Sequence, residues 1–413
     1  RGKGLICENL DGFDRPCVLR SVPHTLALGL SRVPDQAGPF DPSPVPPGVK
    51  AARPIFPLVA ALGWAGDGSP GDGSLRNFAV GAVVQHFPKS MNRAPGTDFR
   101  LPTGDELDAL EAYQLSLGRQ AEMNLNPNGA GSLRFTDLSV AAGQNLFFNG
   151  APSPGVATPR TCSGCHTQAG AGTPNRNRAT GAERSPRAPA CLSPLVQNGD
   201  GGFGQGTGPQ EPAITVNGQT RQVDQGSVVT VDRATFCPDA TGPVTFIGST
   251  FFNPPPVIEA ADTMPGFHDN IADTVEEVVE FYLSDAFRQS VSGSGAAAFP
   301  FDQAQVAALG AFLRAINALE NGRSATAYLD AATGVGTSVK VRNAKLALRD
   351  VEDAIADLTN GPLAPLFPGT GVIEAFQSAQ GKLRATGFGH LSDSQLGLAQ
   401  ADLARARGLM LQP

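Results

Sequence analysis

The residues whose types and spacing best support chemistry are Cys162, Cys165 and His166, in the order Cys-x-x-Cys-His. This is the attachment signature of c-type haem. Each thiol can form a thioether to one vinyl group of the same porphyrin, and the histidine that follows can bind the iron as its proximal ligand. A thioredoxin-like redox pair would need a strand-to-helix pattern nearby, and a zinc site would need a second ligand pair at short spacing. Neither accompanies the motif, so the sequence predicts one covalent haem c.

The segments on either side of the motif indicate which helices hold it. Residues 137–148 predict a helix with Asp137 as its N-cap, which ends just ahead of the motif. Thr274 begins an amphipathic helix that is predicted to extend to about residue 287. Asp302 caps a further helix, on which Gly310 could allow a close crossing with the helix of Gly143. Thr103 and Glu106, much earlier in the chain, form the pattern of a capping box.

The predicted fold is mostly α, with class I cytochrome c-like haem domains and long loops. Glycine and proline number 49 and 35 of the 413 residues, which favours extensive loops over a compact bundle. Asn217-Gly218 indicates a small β-hairpin within a loop insertion. Three parts are predicted: an N-terminal domain without a haem motif, a cytochrome domain that contains the insertion, and a C-terminal helical appendage. Their bounds are 1–136, 137–320 with the insertion over 167–257, and 321–413.

Composition and the start of the chain limit which binding partners and which cellular compartment we expect. The net charge of −7 offers no basic stripe for a nucleic acid. No run approaches the roughly 20 apolar residues that a transmembrane helix needs. The chain begins at Arg1 without an initiator methionine or a signal peptide, although c-type haem is attached on the exported side of a bacterial membrane. We therefore expect a leader to have preceded Arg1, and a periplasmic or extracellular protein.

Four cysteines remain outside the haem motif, and an even number in an exported protein suggests two disulfides. Pairing between sequence neighbours is the simplest of the three possible connectivities. It would join Cys7 to Cys17 and Cys191 to Cys237. The alternative is four buried free thiols.

Two stretches near the predicted haem domain suggest a family. Residues 266–270 read Gly-Phe-His-Asp-Asn, and residues 273–282 read Asp-Thr-Val-Glu-Glu-Val-Val-Glu-Phe-Tyr. Together they resemble the "FHDG…TLEEVVxFY" signature of the bacterial dihaem cytochrome c peroxidase superfamily, which includes the MauG-type enzymes. Residues 143–147 are similar to the start of that family's C-terminal haem domain, residues 62–67 to its "FWDGR" stretch, and residues 20–24 to the segment before it. The resemblance covers roughly residues 1–320 and implies a redox role.

The chain departs from this family in its number of haem motifs. Family members carry two c-type haems, of which the N-terminal one reacts with peroxide, whereas this chain holds one Cys-x-x-Cys-His. Residues 1–136 would then be part of the N-terminal peroxidase-like domain, and a second haem would lie outside the chain. The resemblance thus implies an electron-transfer cytochrome that feeds peroxide reduction or a related haem oxidation, with another haem or a redox protein as partner. The alternative is a non-enzymatic electron carrier or a structural subunit of a larger redox complex.

Three residues are candidates for the sixth iron ligand. Tyr282 matches the family position that supplies a Met ligand in the peroxidases and a Tyr ligand in MauG-type enzymes, although a tyrosine on an amphipathic helix is more often part of the core. His268 could bind the iron or hydrogen-bond a propionate. Met264, in Met264-Pro265, is similar to the methionine that binds the iron in small cytochromes c. We rank Tyr282 first, His268 second and Met264 third.

The resemblance also assigns roles in the N-terminal part. Trp64 matches a tryptophan that relays electrons between the two haems, and otherwise would be a buried aromatic residue. Gln85 falls where the family keeps an acid or amide close to the peroxide-reacting iron. Three arginines are candidates, by charge alone, to pair with the haem propionates: Arg20, Arg100 and Arg160.

Overall fold

The computed structural model describes much of the C-terminal two thirds of the chain and shorter segments before it. The described ranges are 5–8, 18–21, 26–31, 95–152, 155–167, 213–216, 219–222, 254–267, 271–290, 292–293, 299–384 and 391–412, with isolated positions at 75, 79, 82–83, 89–90 and 180. This part is mostly helical, as predicted. Its α-helices are α1 (Gly104–Ser116), α2 (Leu138–Asn149), α3 (Val275–Phe281), α4 (Asp285–Arg288), α5 (Gln303–Ala332), α6 (Thr337–Thr359), α7 (Val372–Arg384) and α8 (Asp393–Met410).

The strands of the described part form two antiparallel pairs. β1 (Leu5–Glu8) pairs with β2 (Val18–Ser21), and β3 (Ala213–Val216) pairs with β4 (Gln219–Gln222). In the second pair Val216 lies opposite Gln219. The residues between them, Asn217 and Gly218, lie outside the described residues, so the turn assigned to them stays a prediction.

Short-range capping starts the helices where the sequence predicts it. At α1, Thr103 Oγ1 accepts from Glu106 N at 3.3 Å, and Glu106 Oε2 accepts from Thr103 N at 2.8 Å, which confirms the capping box. Asp137 Oδ1 accepts from Ser139 N at 2.8 Å at the start of α2. Asp302 and Gln305 form a second capping box at α5. Each cap satisfies backbone N–H groups that have no partner inside the helix.

The crossing of α2 over α5 depends on Gly143. A Cβ atom at this position would lie 1.9 Å from Ala308 O and 2.8 Å from Phe312 Cβ, so only glycine allows this approach. The prediction that Gly310 allows a close crossing with the helix of Gly143 is wrong, because Gly310 faces a different helix. A Cβ at Gly310 would instead lie 2.4 Å from Glu276 Oε1, because Gly310 faces α3.

The helix predicted from Thr274 to about residue 287 is two helices. Thr274 Oγ1 caps α3 as expected, accepting from Glu277 N at 3.2 Å. Tyr282 is the C-cap residue of α3. Ser284 Oγ then accepts from Phe287 N at 3.3 Å and starts α4. Ser284 is a strong N-cap, which explains why one amphipathic pattern is divided.

The helices of the appendage share a core with the helices beside the haem motif. The predicted boundary between residues 320 and 321 lies inside α5, which is continuous from Gln303 to Ala332. Buried residues of α2, α5, α6, α7 and α8 belong to one hydrophobic cluster. Within it, Phe312 contacts Phe135 with ring centroids 6.0 Å apart, and Phe135 contacts Phe367 at 6.4 Å.

The last described residues return to the segment that precedes α2. Thr136 N donates to Met410 O at 2.9 Å, and Gln412 N donates to Arg134 O at 2.8 Å. No helix in the part of the chain that the structure describes is long and apolar enough to cross a membrane.

Candidate haem-attachment site

A single 3₁₀ turn, Cys162–Gly164, carries the motif. Thr161 Oγ1 caps it by accepting from Gly164 N at 3.1 Å. Cys165 N and His166 N both donate to Cys162 O, at 3.1 and 2.9 Å. The two thiols are therefore held one turn apart, with the imidazole directly after them. Both cysteines are free of disulfides and half-buried.

The imidazole of His166 is oriented by a carbonyl from a distant segment. Its Nδ1 lies 3.0 Å from Pro255 O. Because a carbonyl oxygen can only accept, Nδ1 carries the proton, and Nε2 keeps its lone pair. Burial also lowers the pKa of His166, which favours the neutral ring. Histidines that bind metals almost always donate their other ring N–H in this way, because the hydrogen bond fixes the tautomer and raises ligand basicity.

The environment of Cys162 is unlike that of a redox-active thiol. Burial, followed by the neighbouring Cys165, raises the pKa of Cys162 to about 12. Reactive cysteines have a lowered pKa, since the thiolate is the nucleophile. The surroundings of Cys162 thus do not favour thioredoxin-like chemistry.

Tyr282 lies near the motif, at the end of α3. Its ring centroid is 4.9 Å from that of Phe287 and 5.6 Å from that of Phe281. Burial raises the pKa of Tyr282 above its ordinary value, and the charges of Cys165 and Cys162 raise it further, whereas Arg160 lowers it. The phenol is therefore within electrostatic range of both thiols. Tyr282, the first-ranked candidate for the sixth ligand, thus interacts electrostatically with both cysteines of the motif.

The other two candidates for the sixth iron ligand are Met264 and His268. Met264 is partly buried against the main hydrophobic cluster, as is Cys162. Its Cε lies 3.6 Å from the position of a Cβ on Gly266. His268 lies outside the described residues. Both remain predictions alongside Tyr282.

The N-terminal candidates cannot be placed. Trp64 and Gln85 lie outside the described residues. Cys17, Cys191 and Cys237 also lie outside the described residues. For Cys7, in β1, only the backbone is described. Both predicted disulfides therefore stay predictions. Among the described residues, no group of three or more His, Cys, Asp or Glu side chains could hold a metal ion.

The candidate propionate partners have other contacts. Arg100 forms an exposed ion pair with Glu106, with Nη1 2.8 Å from Oε2. Arg160 donates to the carbonyls of Ser292 and Gly293 and lies over two aromatic rings. The side chain of Arg20, in β2, is not described.

A buried ion pair that sequence reasoning missed fixes α3 against α5. Arg314 Nε donates to Glu276 Oε1 at 3.1 Å, and Arg314 Nη2 donates to Glu276 Oε2 at 2.8 Å. The two side chains are only 12% and 11% exposed. Gly310 leaves the space that Glu276 occupies. The pair sets the position of α3 and hence of Tyr282 at its end.

A second buried network connects the segment before Met264 to α5 and α6. Asn321 Nδ2 donates to Asp262 Oδ2 at 2.9 Å and to Asp357 Oδ2 at 3.2 Å. Asn317 Nδ2 donates to Asp357 Oδ2 at 2.6 Å. Burial, followed by the charge of Asp262, raises the pKa of Asp357 well above its ordinary value. The network ties the 3₁₀ turn Ala261–Thr263 to the appendage.

Comparison of the chain with protein-family models, curated proteins and solved structures finds no significant match. The function of the site therefore has to be inferred from its residues and geometry. Two thiols not joined to each other, one turn apart, and an imidazole with Nε2 unprotonated are the donor set that a covalent haem c requires.

Proposed function

We propose that the chain is an exported c-type cytochrome of the dihaem cytochrome c peroxidase superfamily. Cys162 and Cys165 would hold haem c through two thioethers, and His166 would bind its iron. Bound haem c supplies a one-electron couple. The observation that carries the proposal is the hydrogen bond from His166 Nδ1 to Pro255 O at 3.0 Å, beside two free thiols. It leaves Nε2 available for iron, and the two thiols, which are not joined to each other, are free to form thioethers with the vinyl groups of the porphyrin.

The chain's own residues would hold this group in place. The 3₁₀ turn capped by Thr161 fixes the spacing of the two thiols. The ion pair of Glu276 with Arg314 holds α3, at whose end Tyr282 lies. Tyr282 would be the preferred sixth ligand, with His268 and Met264 as the alternatives. A phenolate is a hard anionic ligand, which stabilises ferric iron and lowers the reduction potential relative to a methionine thioether.

The proposed activity is electron transfer that feeds peroxide reduction or a related haem oxidation. In this role, as the family resemblance implies, Trp64 would relay electrons toward a second haem outside the chain, and Gln85 would serve as the amide beside the peroxide-reacting iron. The second candidate is a non-enzymatic electron carrier or a structural subunit of a larger redox complex. A second Cys-x-x-Cys-His encoded upstream of Arg1 supports the enzyme, and a gene without one supports the carrier. Haem attachment on the exported side places either protein in the periplasm or outside the cell.

The test is whether haem resists extraction. The protein is produced in a host that matures c-type cytochromes, treated with acidic acetone, and assayed as the pyridine haemochrome. We expect one haem per chain with the spectrum of two thioethers. Cys162→Ser and Cys165→Ser should each shift the spectrum to that of a single thioether. Ser163→Ala, at a variable position of the motif, is the matched control. Complete loss of haem from the unsubstituted protein on extraction would overturn the proposal.

A further inference from the structure

Arg160, two residues before Cys162, occupies a cage made by a different part of the chain. Its Nη1 donates to Gly293 O at 3.4 Å, and its Nη2 donates to Ser292 O. Its Cζ atom is 4.8 Å from the centroid of Phe287 and 5.2 Å from that of Phe299. Two carbonyls and two aromatic faces thus surround one planar cation, which is the environment that suits a guanidinium.

The turn that supplies the carbonyls is tightly specified. Ser290 Oγ donates to Phe287 O at 2.7 Å and accepts from Gly293 N at 2.9 Å. A Cβ at Gly293 would lie 1.7 Å from Phe287 O, so the turn requires glycine there. Because Ser290 is 2% exposed, water does not compete for these bonds. The cage is therefore a fixed feature of the segment after α4.

Both rings of this cage also contact Tyr282, as do Phe267 and Phe281. The Tyr282 ring meets Phe287 with centroids 4.9 Å apart and an interplanar angle of 78°. It meets Phe299 at 6.2 Å and 72°. Both are edge-to-face arrangements, whose energy depends on ring orientation. A group that fixes Phe287 and Phe299 consequently restricts the orientation of Tyr282.

We propose that Arg160 is a positioning residue, which holds the Tyr282 phenol in place through Phe287 and Phe299. The role of Tyr282 as an iron ligand rests on the proposed function, whereas the orientation of its ring does not. Arg160 lies two residues before Cys162, so it ties the segment that carries the thiols to the same cage as the phenol. A lysine would keep the charge, but it could not donate to two carbonyls in a fork while stacking on two rings.

The test compares Arg160→Lys with Arg288→Lys. Arg288 lies on α4 and is half-exposed in an ion pair with Asp285, so it receives the same substitution outside the cage. The first readout is near-ultraviolet circular dichroism, taken as the difference between each protein and its Tyr282→Phe counterpart. This difference isolates one of the chain's three tyrosines and needs no haem. We expect Arg160→Lys to reduce the Tyr282 signal and Arg288→Lys to preserve it. An unchanged Tyr282 signal in Arg160→Lys overturns the inference.

The second readout is the ferric spectrum of the haem-loaded proteins. Losing a part-buried, charge-assisted contact should lower the ratio of Tyr282-ligated to unligated haem about tenfold, which corresponds to about 1.4 kcal/mol. Covalent attachment should persist, because Cys162 and Cys165 are unchanged. In the Tyr282→Phe background, Arg160→Lys should have no further spectral effect. An equal spectral change in that background would mean that Arg160 acts through another group, which contradicts the inference.

Failure of the proposed function has a different signature. If the unsubstituted protein lacks covalent haem, or if Tyr282→Phe leaves the ferric spectrum unchanged, then haem attachment or its ligand assignment is wrong. The dichroism difference still tests whether Arg160 orients the ring. Thermal unfolding of Arg160→Lys, measured alongside, separates lost ring order from global unfolding at the assay temperature.

Discussion

Replacing Gly143 with alanine should force α2 away from α5. The new Cβ would lie 1.9 Å from Ala308 O and 2.6 Å from Ala308 C, both backbone atoms. Carbon–oxygen contacts are rarely shorter than about 3.3 Å, so the helices must separate by more than about 1 Å. The separation also loosens the contact between Phe147 and Phe312, whose ring centroids are 5.5 Å apart. The crossing is thus a point at which one methyl group is expected to disturb the whole core.

Two opposing effects determine how much Gly143→Ala changes the free energy of unfolding. Alanine in place of glycine in a helix stabilises by about 1 kcal/mol. Overpacking of a well-packed core costs about 1–3 kcal/mol, and a clash with backbone belongs at or above the upper end. The net expected loss for Gly143→Ala is therefore about 2 kcal/mol.

The matched control is Gly397→Ala on α8, where no atom lies within 4 Å of the new Cβ. It gains the helix propensity without the clash and should stabilise by about 0.5–1 kcal/mol. Urea unfolding followed by circular dichroism at 222 nm measures both, and similar m-values would show that surface exposure on unfolding is unchanged. If Gly143→Ala is as stable as Gly397→Ala, the close crossing is not a constraint and the reasoning fails.

Three further predictions concern the buried polar groups and the cysteines. Glu276→Gln should lower the free energy of unfolding in urea by about 3 kcal/mol, because it leaves the Arg314 guanidinium buried without its charged partner. A decrease of less than about 1 kcal/mol would show that water reaches the site. Asp357 has a folded pKa raised above its unfolded value, so the folded state binds the proton more tightly and stability should fall as pH rises from about 4 toward the folded pKa. Asp357→Asn should flatten this slope in unfolding measured as a function of pH, and an unchanged slope would exclude Asp357 as its source. Mass mapping without reductant should find two disulfides, whereas alkylation of all four thiols would disprove them. The expected pairs are Cys7 with Cys17 and Cys191 with Cys237.

Features determined over a few residues could be predicted from the sequence. The caps at Thr103, Asp137 and Asp302 depend on side chains that reach backbone groups two or three positions away. The Cys-x-x-Cys-His spacing likewise involves only neighbouring residues, so it can be recognised in the sequence.

Features that join distant segments could not be predicted in this way. Pro255 is 89 residues from His166, and Arg314 is 38 residues from Glu276. A sequence shows that Gly310 permits a close approach, but the partner depends on how α3 and α5 pack. The cage of Arg160 is the clearest case, since its carbonyls come from residues more than 130 positions later.

The meeting of residues 134–136 with residues 410–412 has a consequence for the topology of the chain. Their paired backbones bring the two ends of the segment 134–412 side by side. A segment whose ends adjoin can be rejoined there and opened elsewhere, because the new peptide link has little distance to cover. A circular permutant that links residue 412 to residue 134 and begins within the turn between α5 and α6 should therefore fold. The same closure would let this segment be inserted into the surface loop of another protein without stretching either chain.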